Sequence, residues 1–501
     1  MEAKAMHVLL IYPEFPDTFW SFKHALRFIR KRAAYPPLGL LTVAALLPSD
    51  WEKRLVDLNV TPLTSEDLAW ADLVCVSAMA VQRESVHRCI ARCRQAGVRV
   101  VAGGPLFTAE PEQFPDVDHL VLGEAEVTLP RFLEDLREGH PQHIYTPSGY
   151  ADMQVSPVPS WELLDLRRYA TMSIQYSRGC PYDCEFCNVT ALFGRRPRTK
   201  SANQILRELD SLHDFGWRRA VFFVDDNLIG NRRHVKNALL PALIERRNRG
   251  VMADFITQAS INLADDTDLM QMMVAAGFNT VFVGIETPDE ASLVECCKRH
   301  NLGRDMTADV KRMQRAGLQV HGGFIVGFDS DTPSTFQRLI DFIQSTGIVT
   351  AMVGLLQALP STRLYERLRI AGRLVGTVSG DNVDGTTNIV PAMDLDLLRE
   401  RYRSAIRCLY SPKVYYQRIR VFLRTYQMPR LEVRWDLRFQ LGQLWTFLVS
   451  VARLGILGKE RIEYWKLLAW TLFRRPRSFG LAITCAIYGY HFRRTCEAHL
   501  A

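Results

Sequence analysis

The sequence predicts an α/β protein with two parallel-sheet units followed by a mainly helical C-terminal region. Three observations lead there. Short, unbroken apolar runs alternate with helical stretches from His7 to Arg137, and the same alternation returns from Met172 to Leu355. Unbroken apolar strands between helices are the pattern of parallel sheets covered on both faces. Beyond about residue 376 the apolar spacing becomes that of amphipathic helices.

At 501 residues the chain exceeds one ordinary core and divides into several domains. Its apolar share of 48% and charged share of 23% are those of a folded protein. The 11 cysteines are odd in number and scattered, which excludes a secreted disulfide framework and points to a reducing cytoplasm. The apolar run before Pro13 is too short for a secretory signal and reads as a first buried strand. Net charge is +8, but unevenly placed: residues 401–501 carry 19 Lys/Arg against 5 Asp/Glu. A basic tail on an acidic body suggests either an anionic partner or a solvated helix face.

In the first unit, residues 1–145, strands are expected at His7–Tyr12, Arg54–Leu58, Leu73–Ser77, Val98–Ala102 and His119–Leu122. Helices are expected at Leu38–Leu47, Ser85–Ala96 and Thr128–Arg137. Sheets of this kind bind ligands at the carboxyl ends of their strands. Those ends carry Asp57, Asn59, Ser77, Gly103, Gly104, Gly123 and Glu124, and glycines there let a flat, bulky ligand approach the backbone. No single one of these strings is specific. Residues 146–168, with Pro147, Pro157 and Pro159, have a linker composition.

Residues 169–376 give six further strand–helix units. Strands are expected at Met172–Tyr176, Ala220–Val224, Asp254–Gln258, Thr280–Gly284, Gly323–Val326 and Met352–Leu355. Six such units suit a partial (β/α)6 barrel, whose chemistry collects at the C-terminal strand ends. Asp225, Asp226, Ser260, Glu286 and the Gly323–Gly327 string stand there.

The last domain, residues 377–501, begins with a polar loop at 378–389. Amphipathic helices follow at Leu397–Tyr410 and Pro412–Tyr426. Two apolar runs, Leu444–Leu457 and Leu481–Tyr490, are flanked by arginines and fall short of the roughly 20 residues a spanning helix needs. With Trp445, Trp465 and Trp470 they suit a membrane surface; packing onto the barrel is the alternative.

The sharpest signal is SRGCPYDCEFC, which sets Cys180, Cys184 and Cys187 in a C-x3-C-x2-C spacing. Three thiolates this close select an iron–sulfur cluster or zinc. Three local ligands leave one iron of a [4Fe–4S] cluster open to a small molecule, whereas structural zinc would need a fourth ligand from elsewhere. Adjacent Cys296 and Cys297 read as structural thiols, with an auxiliary metal ligand as the sharper alternative. The basic run Gly194–Lys200 sits near the site or in solvent. A nucleic-acid reading would need more such patches with interleaved aromatics, so no nucleic-acid partner is expected.

With Phe186 just before the last cysteine, the motif resembles the radical S-adenosylmethionine (SAM) superfamily. Residues 6–140 resemble the cobalamin-binding domain of its B12-dependent members, a Rossmann-like fold. The strings YPEFPDTFW, YPPLGLLTVAALLP, QYSRGCPYDC and GGFIVGFDSD are similar to a subgroup that includes hopanoid C-2 methylase-like proteins. The resemblance implies a [4Fe–4S] cluster on Cys180, Cys184 and Cys187. It implies SAM on Phe186, Asp225, Asp226, Ser260, Glu286, Gly323, Ile325 and Gly327. Cobalamin would fall on Asp57, Asn59, Ser77, Gly103, Gly104, Gly123 and Glu124. One departure matters: Asp57-Leu58-Asn59-Val60-Thr61-Pro62 lacks the His and Gly of the Asp-x-His-x-x-Gly string of many B12 proteins. The lower cobalt face is then not ligated by a histidine at this position.

The expected activity is methyl transfer to an unactivated carbon of a lipid or secondary metabolite. Rearrangement, cyclisation or oxidation with the same cofactors, or a non-catalytic cluster or cobalamin sensor, are the alternatives. The expected partners are a small-molecule or lipid substrate and an electron donor such as a flavodoxin or ferredoxin. A cytoplasmic location follows, with peripheral contact at the inner membrane face through the basic C-terminal region.

Overall fold

The computed structural model describes residues 6–429 and 437–500, with the side chains of 437–439 and 500 left out. The extreme ends of the first and last domains expected from sequence, and the stretch 430–436, lie outside the described residues.

The first unit is a six-stranded parallel sheet. Its strands are β1 (His7–Tyr12), β2 (Glu52–Asp57), β3 (Leu73–Ser77), β4 (Arg99–Gly103), β5 (His119–Val121) and β6 (Ile144–Tyr145), in the order β2-β1-β3-β4-β5-β6. Leu9, Leu10, Val74 and Val101 are buried, as strands covered by helices on both faces must be. The chain leaves β1 in two directions, to β2 on one side and β3 on the other. Ligand sites form at that kind of reversal, beyond the strand carboxyl ends. Strand β6 falls next to the stretch read as linker; two residues among prolines carry no period to detect. The linker itself is ordered into short turns, and Trp161 within it is buried.

The second unit is a barrel of six parallel strands. A short antiparallel pair, β8 (Ser177–Arg178) and β9 (Arg198–Thr199), follows β7 (Met172–Ile174). The barrel continues through β10 (Val221–Phe223), β11 (Phe255–Gln258), β12 (Phe278–Glu286), β13 (Gln319–Val326) and β14 (Ala351–Leu355). The order is β14-β13-β12-β11-β10-β7, so β14 and β7 do not pair and the barrel has a side opening.

Two segments from the ends of the chain meet at that opening. Trp20 Nε1 reaches the Met352 sulfur on β14 at 2.9 Å, while Ala33 bridges Tyr169 just ahead of β7. Phe19 stacks on Phe492 at 4.0 Å, and His491 Nε2 lies 3.0 Å from the Phe19 carbonyl oxygen. Phe19, Phe22 and Phe28 therefore belong to the barrel-side core, although sequence reading placed them in the first domain. The C-terminal helices are Leu395–Leu409, Pro412–Thr425, Leu437–Ser450, Arg461–Arg474 and Phe479–Leu500. Of the apolar runs read from sequence, Leu444–Leu457 covers the second half of the third helix and the turn after it, Val451–Ile456, and Leu481–Tyr490 covers the first half of the last. Among the described residues no helix is long and apolar enough to cross a membrane.

The loop 378–389 is seated by Gly354 on β14. A Cβ there would strike the Asn382 carbonyl oxygen. Overpacking of this kind costs roughly 1–3 kcal/mol, so Gly354→Ala should lower the melting temperature. A wild-type melting curve would show that the loop is not held at this contact.

Candidate active site

The cluster loop, residues 179–197, is enclosed by the β8–β9 pair. Gly179 adopts φ +94°, and a Cβ there would lie 2.8–3.0 Å from the carbonyl oxygens of Phe193, Gly194 and Arg196. Only glycine fits this bend, which brings the Cys180 N–H to the Gly194 carbonyl at 3.2 Å. Cys180, Cys184 and Cys187 are partly buried, and burial pushes the Cys187 thiol up to about 12. Thiols so placed bind as thiolates only where a cationic metal core offsets the burial. Among the described residues the one group of three ligand atoms lying within 4.8 Å of one another is Asp17, His24 and His491.

Strand ends supply the surroundings. Asp225 is fully buried and accepts hydrogen bonds from the Tyr176 N–H at 3.1 Å and from the Ser177 N–H and hydroxyl. It fixes the entry to the cluster loop. Asp226 next to it has no side-chain hydrogen bond among the described residues; burial, and then the Asp225 charge, push it up to about 7. This lone carboxylate acts electrostatically on Cys180 and Cys187, and is placed to meet a cationic amino group beside the cluster. Ser260 donates to Asn262 Oδ1 at 2.7 Å, and Asn262 Nδ2 donates to the Tyr182 hydroxyl at 2.6 Å.

Glu286 pairs with Lys298, which sequence reading missed. Burial works against the Lys298 charge, but Glu286 and then Cys184 hold its pKa above the usual range. Glu286 has φ +64°, unusual for a residue with a side chain and typical of functional sites. Gly284 clears room for the pair, since a Cβ there would lie 2.5 Å from Glu286 Oε1 and 2.7 Å from Lys298 Nζ. Phe186 and Ile325 share one apolar cluster with buried Cys296, whose thiol burial raises to about 12; a structural thiol fits that setting. Gly323 faces Phe282, and the Gly327 N–H donates to Asp331 at 2.7 Å.

A cavity of about 940 Å³ lies between the two units. Asn59, Ser77, Gly104, Gly123 and Glu124 line it on the sheet side, and Phe222, Phe282, His321 and Met352 on the barrel side. Gly104, at φ +88°, turns so tightly that a Cβ would lie 2.5 Å from the Ser77 hydroxyl. Small residues at three successive strand ends leave the room a planar macrocycle needs. Asp57 instead lies buried beneath, accepting from Tyr169 at 2.9 Å and Asn59 Nδ2 at 2.7 Å. Asn59 Oδ1 accepts the Phe15 N–H at 2.9 Å, so its amide is committed to holding the loop after β1. Gly103 sits within β4, paired to β3 and β5.

One ion-pair network joins the two units. Arg178, two residues before Cys180, donates to Glu124 and to both oxygens of Glu126, each at 2.9 Å. Arg198 on β9 donates to Glu124 at 2.9 Å and to the Ala151 carbonyl. Both carboxylates are nearly fully buried. The carboxylate of Glu124, expected to contact cobalamin, is therefore occupied by the clamp. Arg178 was legible only as part of the SRGC string.

The comparisons with known proteins follow the same division. The B12 binding domain family matches residues 31–133, the radical SAM superfamily 174–343, and a domain of unknown function (DUF4070) 362–501. An uncharacterized methyltransferase of Synechocystis sp. is 39% identical over 97% of this chain and 91% of its own length. The hopanoid C-2 methylase of Rhodopseudomonas palustris is 34% identical over 93% of this chain and 89% of its own. Among solved structures, the cobalamin-dependent SAM radical enzyme OxsB, with aqua-cobalamin and SAM bound, shares the fold. Its TM-score is 0.62 at 13% identity, covering 99% of this chain and 80% of that one.

Two expectations follow. Burial alone would raise Glu126, but the hydrogen bonds and charge of Arg178 bring it down to about 2. Its stabilising contribution is complete above about pH 4.5 and is lost as pH falls through about 2. Urea midpoints should fall faster over that range for wild type than for Glu126→Gln; parallel curves would contradict the clamp. Co(II) spectra of cobalamin-loaded protein should show no hyperfine coupling to a side-chain imidazole, and such coupling would refute the reading of Asn59.

Proposed function

We propose that this chain, which belongs to the B12-binding radical SAM methyltransferases related to the hopanoid C-2 methylase, methylates an unactivated carbon of a lipid. When bound, the cluster with SAM supplies a hydrogen-abstracting radical and cobalamin supplies the methyl group. The observation that carries the reading is the apolar cavity reaching from the sheet's strand ends into the barrel.

The chain's own residues bind, orient and exclude water. Cys180, Cys184 and Cys187 hold the cluster, and unpartnered Asp226 receives the SAM amino group. Ser260 and Asn262 offer polar contacts to its hydroxyls, while Phe186 and Ile325 pack against the faces of its adenine. The Glu286–Lys298 pair keeps a fixed charge arrangement beside Cys184. Ser77, Gly104 and Gly123 seat cobalamin. Arg178 and Arg198 hold that seat against the cluster loop, so both cofactors face one substrate. Phe222, Phe282 and Met352 give the substrate an apolar wall.

The electron donor is a flavodoxin or ferredoxin in this reading. The location is the cytoplasmic side of the inner membrane, supported by the basic balance of residues 401–501. Anaerobically reconstituted protein should hold about four irons and, with cobalamin, SAM and reductant, add one CH2 per turnover to a membrane-lipid extract. Product that keeps its mass, or full SAM cleavage by Cys184→Ala, would overturn the reading.

A further inference from the structure

We propose that the helical hairpin of residues 437–474 seats on an anionic bilayer, and that the substrate enters the cavity from the lipid beside Trp445. The docking stands on the surface itself; the entry route rests on the lipid reading above.

Each helix of the hairpin leaves an apolar stripe uncovered. Leu441, Leu444, Trp445 and Leu448 are exposed on the first helix, at intervals of three, one and three residues. Ile462, Trp465, Leu472 and Phe473 are exposed on the second, with Phe473 at 82%. Such intervals put each set on one helix face. The turn between them exposes Ile456 and, at 80%, Leu457. Trp465 Nε1 donates to the Gly455 carbonyl at 3.0 Å, tying the two helices together. The buried faces are complete without these residues: Leu454, Tyr464, Leu467 and Leu468 already pack inward. Exposed apolar surface on this scale marks an interaction site.

The charge around the stripes selects the occupant. From 437 to 480 the acidic residues are Glu460 and Glu463. Glu460 is buried and paired with Arg493 at 2.8 Å. Glu463 is taken by Lys466 at 2.8 Å and Arg420 at 3.4 Å. Lys459 is held by Glu497 at 3.3 Å, while Arg461, Arg474, Arg475 and Arg477 remain exposed. Apolar stripes rimmed by cations, with tryptophan at the rim, match an anionic headgroup layer over acyl chains.

The cavity then supplies the route. Its far end is lined by Ile29, Thr446 and Thr484, and Thr446 adjoins half-exposed Trp445. The Arg30 guanidinium lies 3.6 Å above the Trp445 ring. An apolar molecule leaving the bilayer at Trp445 would meet the apolar wall of Trp20, Phe222 and Phe282 without crossing water.

The test is co-sedimentation of the reconstituted full-length protein with phosphatidylglycerol–phosphatidylcholine vesicles. Wild type should sediment at low salt and be released by high salt and by pure phosphatidylcholine. Leu448→Ser/Phe473→Ser and Arg474→Glu/Arg477→Glu should each lose on the order of tenfold in binding while keeping wild-type melting and SAM cleavage. Ile456→Ser/Leu457→Ser is a second apolar pair should the first fail to fold. Thr446→Trp should bind vesicles normally but methylate vesicle-held lipid more slowly. Protein left in the supernatant, binding indifferent to both variant sets, or a solution dimer that buries the stripes would overturn the docking. Vesicle binding without lipid methylation would instead fault the substrate reading. Methylation of detergent-dispersed lipid without vesicle binding would fault the docking alone.

Discussion

The arrangement depends on one buried network, Arg178 and Arg198 against Glu124 and Glu126. Chemistry that passes a methyl group between two cofactors and a substrate needs all three within one enclosed volume. The units that hold the cofactors are separate folding layers with separate sheets. Arg178 stands two residues before the first cluster cysteine, and Glu124 and Glu126 stand directly after β5. Their bonds fix the cavity between the units to the cysteine loop with almost no intervening chain. Removing one partner of a buried pair leaves an uncompensated charge, at a cost of roughly 3–5 kcal/mol. The clamp therefore tolerates little variation.

The carboxylates near the site divide by whether the protein has already used them. Asp57 holds Tyr169 and Asn59 at the domain junction, Asp225 sets the entry to the cluster loop, and Glu286 is paired with Lys298. Each stabilises the geometry that a ligand would find. Asp226 is the exception, half-buried beside the cysteines with a raised pKa and no hydrogen bond to another side chain. An acid left in that state is open to a ligand's cation. The same contrast separates Glu124, consumed by the clamp, from Ser77 and Gly104, which leave space.

The strands were legible because double-sided burial writes itself as unbroken apolar runs; β1 and β3 match the sequence reading residue for residue. The three cysteines were legible because their spacing is local. Arg178, Lys298 and the segment Phe19–Ala33 were not, since each acts through partners distant in sequence. Arg178 meets Glu126 across 52 residues, and Phe19 meets Phe492 across most of the chain. Glu286 and Asp225 show the same limit from the other side. A strand-end position identifies the neighbourhood of a ligand, while hydrogen-bond partners decide whether the group is free to bind it.

The most direct measurement is the distance between Co(II) in bound cobalamin and the reduced cluster, by pulsed double-resonance spectroscopy on the loaded wild-type protein. If the clamp fixes the two sites on one chamber, a single narrow distance is expected, unchanged when SAM is added and broadened in Arg178→Met. A broad or multiple distribution in the wild type would mean that the two units move independently and that the buried network does not set the site.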